Sequence, residues 1–233
     1  GNPPGGIYYI NGTVATQFNP ALQGVGTDTL MYIYSDTNAC SDTAFASIKV
    51  NPLPVAIASG DTVICFGDTA TLTASGGTSY IWSWGSGNLN TKDTLRNPPS
   101  SSTVYTLLVT DTNGCKEHTS ITVTVNPVPI PNAGPTTSIC VGDSVKLGAG
   151  GIRAASFLWS NSAITDSITA TPLITTTFNV TVTDSNSCKG YDSVVVPVFP
   201  LPLASAGNNV SICNGDSTIL VASGGANYIW DNS

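Results

Sequence analysis

The sequence predicts an all-β chain built as a tandem of small β-sandwiches, and three observations carry that expectation. First, Asp61-Thr62-Val63-Ile64-Cys65-Phe66-Gly67-Asp68 recurs as Ser138-Ile139-Cys140-Val141-Gly142-Asp143 and as Ser211-Ile212-Cys213-Asn214-Gly215-Asp216. The cysteines are 75 and 73 positions apart, so one unit of that size is copied with small insertions and deletions. Second, apolar residues alternate with polar ones at period two and nowhere sustain a 3.6-residue period. Third, only 9% of the residues are charged, and Thr, Ser, Gly and Pro supply the polarity, a composition that suits pleated strands and turns.

Each element follows from local chemistry. Ser35-Asp36-Thr37-Asn38-Ala39-Cys40, Thr110-Asp111-Thr112-Asn113-Gly114-Cys115 and Thr183-Asp184-Ser185-Asn186-Ser187-Cys188 read as hairpin turns. Asp and Asn hydrogen-bond their own turn and tolerate left-handed backbone. Before these turns run alternating strands, Leu30/Tyr32/Tyr34, Tyr105/Leu107/Val109 and Phe178/Val180/Val182. After them come Ala46/Ile48/Val50, Ile121/Val123/Val125 and Val194/Val196/Val198. Period two buries one face of each strand.

Asn51-Pro52-Leu53-Pro54, Asn126-Pro127-Val128-Pro129 and Phe199-Pro200-Leu201-Pro202 are short joints. Two prolines in four residues fix φ and withhold N–H donors, so the joints are expected to be extended and stiff. Beyond each joint the chain passes the Cys stretch, turns, and enters a strand whose inward set is Ala70/Leu72/Ala74, Val145/Leu147/Ala149 or Thr218/Leu220/Ala222. A glycine-rich turn then leads to an aromatic strand, Tyr80-Ile81-Trp82, Phe157-Leu158-Trp159 or Tyr228-Ile229-Trp230. One Trp per unit at a fixed place is a core filler. Trp84 has no counterpart and is freer to stack on a sugar.

With strands lettered A to G in chain order, the Cys stretch ends A, the Trp lies on C, and the Asp-Asn turn joins F to G, an immunoglobulin-like order. The expected organisation is the later part of a repeat in 1–50, complete repeats in 51–126 and 127–199, and the opening of another in 200–233. Neither end piece closes a sandwich alone, so the natural protein is expected to be longer.

The pattern Ile-Cys-x-Gly-Asp, Leu-x-Ala-Ser-Gly-Gly, Tyr-Ile-Trp, Thr-Asp-x-Asn-Gly-Cys and Val-Asn-Pro-x-Pro resembles the immunoglobulin-like and PKD-like repeats of large Bacteroidetes surface proteins. These include gliding-motility adhesins and other type IX secretion substrates. The opening stretch, from Pro4-Gly5-Gly6 through Asn19-Pro20-Ala21-Leu22 and Gly24-Val25-Gly26, is similar to a sister repeat type of the same proteins. The resemblance implies extracellular exposure and extension more than any particular ligand.

Six cysteines at equivalent positions fit disulfides in an oxidising exterior. They miss the antibody positions, where Leu72 and Val109 stand. The Cys65 turn and the Cys115 turn lie at opposite poles of one unit, roughly 30 Å apart for strands of eight to ten residues at about 3.3 Å each. A disulfide needs Cα atoms within about 7 Å. Cys65 with Cys188, across a joint, is the preferred pair, leaving Cys40, Cys115, Cys140 and Cys213 to partners in units outside the chain. The alternative is Cys65 with Cys115 and Cys140 with Cys188, closing each domain on itself.

Other sites are sparse. Asp followed by Ser or Thr and then an aliphatic or small residue matches, through the family resemblance, the O-glycosylation motif of Bacteroidetes exported proteins. It places candidate hydroxyls at Thr29, Thr43, Thr62, Thr69, Thr94, Ser144, Ser167, Ser193 and Ser217. A turn Asp leading into a Thr-rich strand writes the same letters. Asp68, Asp143, Asp216, Asp111 and Asp184 are better explained as turn residues than as calcium ligands, since calcium wants six to eight oxygens. His118 has no partner at zinc-ligand spacing. No catalytic motif is present, and Glu117, the one Glu, sits beside a turn. Neither cofactor nor metal nor enzymatic activity is expected.

The net charge of -7 with seven scattered basic residues argues against nucleic acid. No apolar run reaches the roughly 18 residues of a membrane span, so no membrane insertion is expected in this segment. The expected function is a structural stalk segment of a long secreted cell-surface adhesin or filament. Its partners would be neighbouring repeats, surface glycans, or the secretion and motility machinery. The alternatives are a carbohydrate-binding array, for which Trp84, Tyr8, Tyr9 and Tyr191 would have to line one face, and an accessory stalk of a secreted hydrolase.

Overall fold

The computed structural model describes residues 4–231. It divides into two compact units, Gly1–Asn126 and Pro127–Ser233. Apart from one helical turn, the described residues that have regular structure are β-strands.

The first unit opens with β1 (Ile7–Ile10), β2 (Thr13–Val14), the helical turn α1 (Pro20–Gln23), β3 (Gly26–Ser35) and β4 (Ser41–Val50). The side chain of Asn19 caps α1 by accepting from the Ala21 N–H at 3.0 Å, and Pro20 at the first position suits a helix start. The strands form one antiparallel sheet in the order β2-β1-β3-β4. Its burial departs from expectation: Leu30, Tyr32 and Tyr34 are only half-buried and Ala46 is exposed. Among the described residues this sheet lacks the facing sheet that closes the sandwich after it.

That sandwich follows as β5 (Ile57–Gly60), β6 (Val63–Cys65), β7 (Ala70–Ser75), β8 (Ser79–Trp84), β9 (Asn88–Asn90), β10 (Thr94–Asn97), β11 (Thr103–Thr110) and β12 (Lys116–Asn126). One sheet is ordered β10-β7-β5 and the other β6-β12-β11-β8-β9. In immunoglobulin lettering these are E-B-A and A′-G-F-C-C′. Ala70, Leu72, Trp82, Leu95, Tyr105, Leu107, Val109 and Val123 form its core, all at most 2% exposed. The alternation expected for strands B, F and G is the one observed.

The second unit repeats the plan with β13 (Ile130–Asn132), β14 (Ile139–Cys140), β15 (Val145–Gly148), β16 (Gly150–Ile152), β17 (Ser156–Trp159), β18 (Ser167–Ala170), β19 (Thr176–Thr183), β20 (Lys189–Val196) and β21 (Val198–Phe199). Strand B is interrupted at Ala149 and strand G at Pro197, which has no N–H to donate to a ladder. The pairings are otherwise equivalent: B with E (β15 with β18), A with B (β13 with β16), and C-F-G (β17-β19-β20). Val145, Leu147, Ala149, Trp159, Phe178, Val180, Val182, Val194 and Val196 are buried within its core.

Residues 203–231 depart from the sequence expectation. The strands forecast around Thr218, Leu220 and Trp230 do not form, and a single antiparallel bridge, Ser205 with Ser223, is present. Leu220 is 59% and Trp230 47% exposed. This stretch carries counterparts of A, B and C alone. Without E, F and G, its strands lack both ladder partners and a facing sheet.

Candidate functional site

The residues that set this chain apart cluster at the two ends of each sandwich, where the recurring turns and cysteines lie. At one end the segment Cys65-Phe66-Gly67-Asp68 is a tight turn, closed by the Asp68 N–H donating to the Cys65 carbonyl at 3.0 Å. Gly67 sits at φ +95°, the value the third residue of a type II turn requires. The Asp68 carboxylate accepts in return from the Cys65 N–H at 3.2 Å. Cys140-Val141-Gly142-Asp143 has the same bonds, and Cys213-Asn214-Gly215-Asp216 has the same turn. These aspartates are turn closers, as their sequence context suggested.

Just before this turn the chain changes sheets. β6 leaves the A-B-E layer and pairs in parallel with the end of β12, placing Cys65 opposite Asn126. The Phe66 N–H then donates to the Asn126 carbonyl at 2.7 Å. In the second unit β14 pairs in parallel with β21, placing Cys140 opposite Phe199. The first and last strands of each sandwich are thus bonded side by side at the end where the chain leaves.

At the other end lies the F–G turn. Asp111 accepts at Oδ1 from the N–H groups of Asn113 and Cys115, both at 2.8 Å, and its own N–H donates to the Cys115 carbonyl. Asp36 and Asp184 make the same pattern. Desolvation pushes the Asp111 carboxyl up, but the Cys115, Asn113 and Gly114 backbone and the Asn113 amide together bring it below the usual carboxylate range. The left-handed position is filled by Ala39, Gly114 and Ser187 at φ +61°, +80° and +66°. Asp184 is 6% exposed, and its Oδ2 is buried without a hydrogen-bond partner.

The cysteines divide between these ends. Cys65 and Cys188 are in disulfide form, whereas Cys40, Cys115, Cys140 and Cys213 carry free thiols. Cys65 lies opposite the last residue of the 11-residue β12 and Cys115 precedes its first, a span of about 35 Å at roughly 3.3 Å per residue. Cys188 and Cys140 are held apart in the same way by the run 189–199. Cys65 and Cys115, and likewise Cys140 and Cys188, thus stand a whole sandwich apart, beyond the roughly 7 Å between Cα atoms that a disulfide spans.

The aromatic candidates do not assemble into a platform. Trp84 is half-buried and packs against the core of its sandwich with its ring 5.5 Å from that of Tyr105. Tyr8 and Tyr9 are consecutive on β1 and point to opposite faces; the Tyr8 ring packs against that of Tyr32 at a 45° tilt, with centroids 4.7 Å apart. Tyr191, 72% exposed, stands on β20 beside Asn179, Thr181 and Ser193. Of the candidate glycosylation residues, Thr29, Thr43, Thr62, Thr69, Thr94, Ser144, Ser193 and Ser217 are exposed and Ser167 is half-buried. No cluster of three or more metal-ligating side chains exists among the described residues. None of the described helices is long and apolar enough to cross a membrane.

Comparison with known proteins adds three structural similarities. Hemolin, an insect immune protein, covers 84% of this chain and 68% of its own at 13% identity, with a TM-score of 0.37. The immunoglobulin domains 1–5 of Sidekick-1 cover 84% of this chain at 13% identity and a TM-score of 0.29; this chain spans about half (52%) of them. An ice-binding, Ca²⁺-stabilised adhesin of an Antarctic bacterium covers 86% of this chain and 68% of its own at 12% identity, with a TM-score of 0.34. Scans against protein-family models and against curated protein sequences find no match.

Proposed function

We propose that this chain is a stalk segment of a long, secreted, cell-surface adhesin or filament, in which immunoglobulin-like sandwiches follow one another end to end and supply reach and stiffness. The observation that carries this reading is the placement of the cysteines at opposite ends of each sandwich, together with which two are oxidised. Cys65 lies at the exit end of one sandwich and Cys188 at the entry end of the next, and these two are the disulfide-form cysteines. A bond from Cys65 to Cys188 across the Pro127–Pro129 joint would tie successive sandwiches covalently and limit bending. Peptide mapping without reduction tests it: a 65–188 cross-linked peptide is expected, and a 65–115 peptide would refute it.

The strand layout supports a load-bearing role. Tension on the two ends of a sandwich pulls β6 and the end of β12 in opposite directions along their own axes. Parallel neighbours are then loaded in shear, so their hydrogen bonds must break together rather than one by one. The same holds for β14 and β21. Single-molecule pulling of the chain should show unfolding events at distinctly higher force than pulling across the F–G hairpin of one sandwich; equal forces would count against the reading.

The division into segments 1–50, 51–126, 127–199 and 200–233 belongs to this proposal. So do an origin in Bacteroidetes, export by type IX secretion, a place in gliding or attachment, and an extracellular address, all of which follow from the resemblance of the repeats. Glycosylation of the exposed Asp-Thr and Asp-Ser hydroxyls fits that address. Intact mass of protein from its native host is expected to exceed the polypeptide mass by hexose increments, and a bare mass would refute the modification.

A further inference from the structure

The last of the three F–G turns differs from its siblings in burial. Asp184 and Cys188 are 6% and 1% exposed, whereas Asp36, Asp111 and Cys115 are at most half-buried and Cys40 is exposed. All three aspartates use Oδ1 in the same way, and Asp184 Oδ1 accepts from the Asn186 and Cys188 N–H groups at 2.8 and 2.9 Å. The second oxygen sets them apart. Asp111 Oδ2 accepts from the Asn113 amide at 3.3 Å, while Asp184 Oδ2 is buried with no hydrogen-bond partner among the described residues. Closing the turn needs one oxygen only, so the other has no structural task.

That carboxylate stands beside a cysteine in disulfide form. Cys188 Sγ is three bonds from the N atom that Asp184 Oδ1 holds, which puts this oxygen within about 7 Å of the sulfur. We propose that Asp184 protects the disulfide of Cys188 against thiol–disulfide exchange. Exchange begins when a thiolate attacks one sulfur, and the S–S electron pair leaves on the other. Burial closes Cys188 to attack, whereas Cys65, its partner in the stalk reading on which this step rests, is half-buried and reachable. Attack therefore forms a mixed disulfide on Cys65, and Cys188 departs as a thiolate that afterwards takes a proton from water.

That thiolate forms out of water and close to a second negative charge, and both disfavour it. With about half a unit charge on the departing sulfur, about 7 Å of separation and an effective dielectric constant of about 20, the carboxylate alone slows the step about tenfold. The role is kinetic: it lengthens the life of the link in the presence of small thiols.

Reduction of the full chain by dithiothreitol tests this, with free thiols first blocked by N-ethylmaleimide and released thiols counted by alkylation and mass. One dithiothreitol thiolate opens the bond and the second expels Cys65 from the mixed disulfide. Two electrons pass from the dithiol, which closes to a cyclic disulfide. Asp184→Asn keeps an oxygen acceptor for the Asn186 and Cys188 N–H groups and removes the charge. It should be reduced about tenfold faster than the parent, with hydrogen exchange in the peptide 184–189 unchanged. Asp111→Asn, in the equivalent turn of the preceding sandwich, should be reduced at the parent's rate. With glutathione as the attacking thiol and N-ethylmaleimide as the trap, the mixed disulfide should lie on Cys65. Four results would each overturn the proposal: Asp184→Asn reduced no faster than the parent, equal acceleration by Asp111→Asn, faster exchange in 184–189 alongside faster reduction, or glutathione on Cys188. Peptide mapping without reduction keeps the two readings apart. Cys188 joined to a cysteine other than Cys65 sinks the stalk reading, while the Asp184→Asn rate still decides this one.

Discussion

Trp82 and Trp159 occupy the same place in two sandwiches and are both essentially fully buried, yet their indole nitrogens fare differently. Trp159 donates its Nε1–H to the Thr165 carbonyl at 3.0 Å, whereas Trp82 Nε1 is buried with no partner. Replacing either by Phe shrinks the ring and leaves a cavity of roughly 40 Å³, which costs about 1 kcal/mol at about 24 cal/mol per Å³. At Trp159 the change also removes a hydrogen bond of net worth about 1 kcal/mol, for a total near 2. At Trp82 it removes an unsatisfied donor whose burial costs about 1–3 kcal/mol, so the cavity is offset and the net change is about zero or favourable. The expected gap between the two variants is thus about 2 kcal/mol. Hydrogen exchange on the intact chain reads each sandwich separately. Peptides from β17 and β19 in Trp159→Phe should lose protection by about 30-fold, since 1.36 kcal/mol is one decade, while peptides from β8 and β11 in Trp82→Phe should hold theirs. An equal or larger loss at Trp82 would refute the reasoning.

The F–G turns offer a gain in stability. Ser187 holds a left-handed backbone that Gly114 fills in the preceding unit, so Ser187→Gly should stabilise its sandwich by about 0.5–1 kcal/mol, read as a higher denaturant midpoint at unchanged slope. Gly190 is buried, and a Cβ there would lie 2.2 Å from the Pro129 carbonyl oxygen and 2.8 Å from Pro131 Cδ. Gly190→Val should therefore prise β13 from β20, cost about 2–3 kcal/mol or more, and raise exchange in the peptide 130–133. Asp192 accepts from the Ala133 N–H at 2.8 Å and from the Ser193 N–H, and these bonds hold its carboxyl below the usual range. A carboxyl depressed in the folded state stabilises it above the unfolded value near 4, and that contribution fades as pH falls through the lower folded value. Asp192→Asn should accordingly weaken the second unit at pH 7, with the difference from the parent disappearing toward pH 2; a pH-independent difference would contradict this.

The sandwich cores were legible because alternation is a strictly local signal. Leu72, Tyr105, Leu107 and Val109 in one unit, and Leu147, Val180 and Val182 in the next, could be assigned to the inside from the identity of every second residue. The turns were legible for a related reason, since Cys-x-Gly-Asp and Asp-x-Asn-x-Cys close on their own side chains. What escaped was non-local. Nothing in Val63-Ile64-Cys65 says that it changes sheets and pairs in parallel with Val125 and Asn126 some sixty residues later, because parallel pairing leaves no turn between the partners. The interruption of strand B at Ala149 and the loss of strands in 203–231 are likewise decided by which neighbours are present.

The first sheet shows how a legible signal can still be read in one direction only. Leu30-Met31-Tyr32-Ile33-Tyr34 is apolar at every position, whereas the equivalent Tyr105-Thr106-Leu107-Leu108-Val109 interposes Thr106 alone and Phe178-Asn179-Val180-Thr181-Val182 interposes Asn179 and Thr181. Reading only the even positions finds the face that matches the other cores and passes over Met31 and Ile33. An unbroken apolar run in a strand means that both faces seek cover. The fold of one sandwich can account for a single face of such a strand.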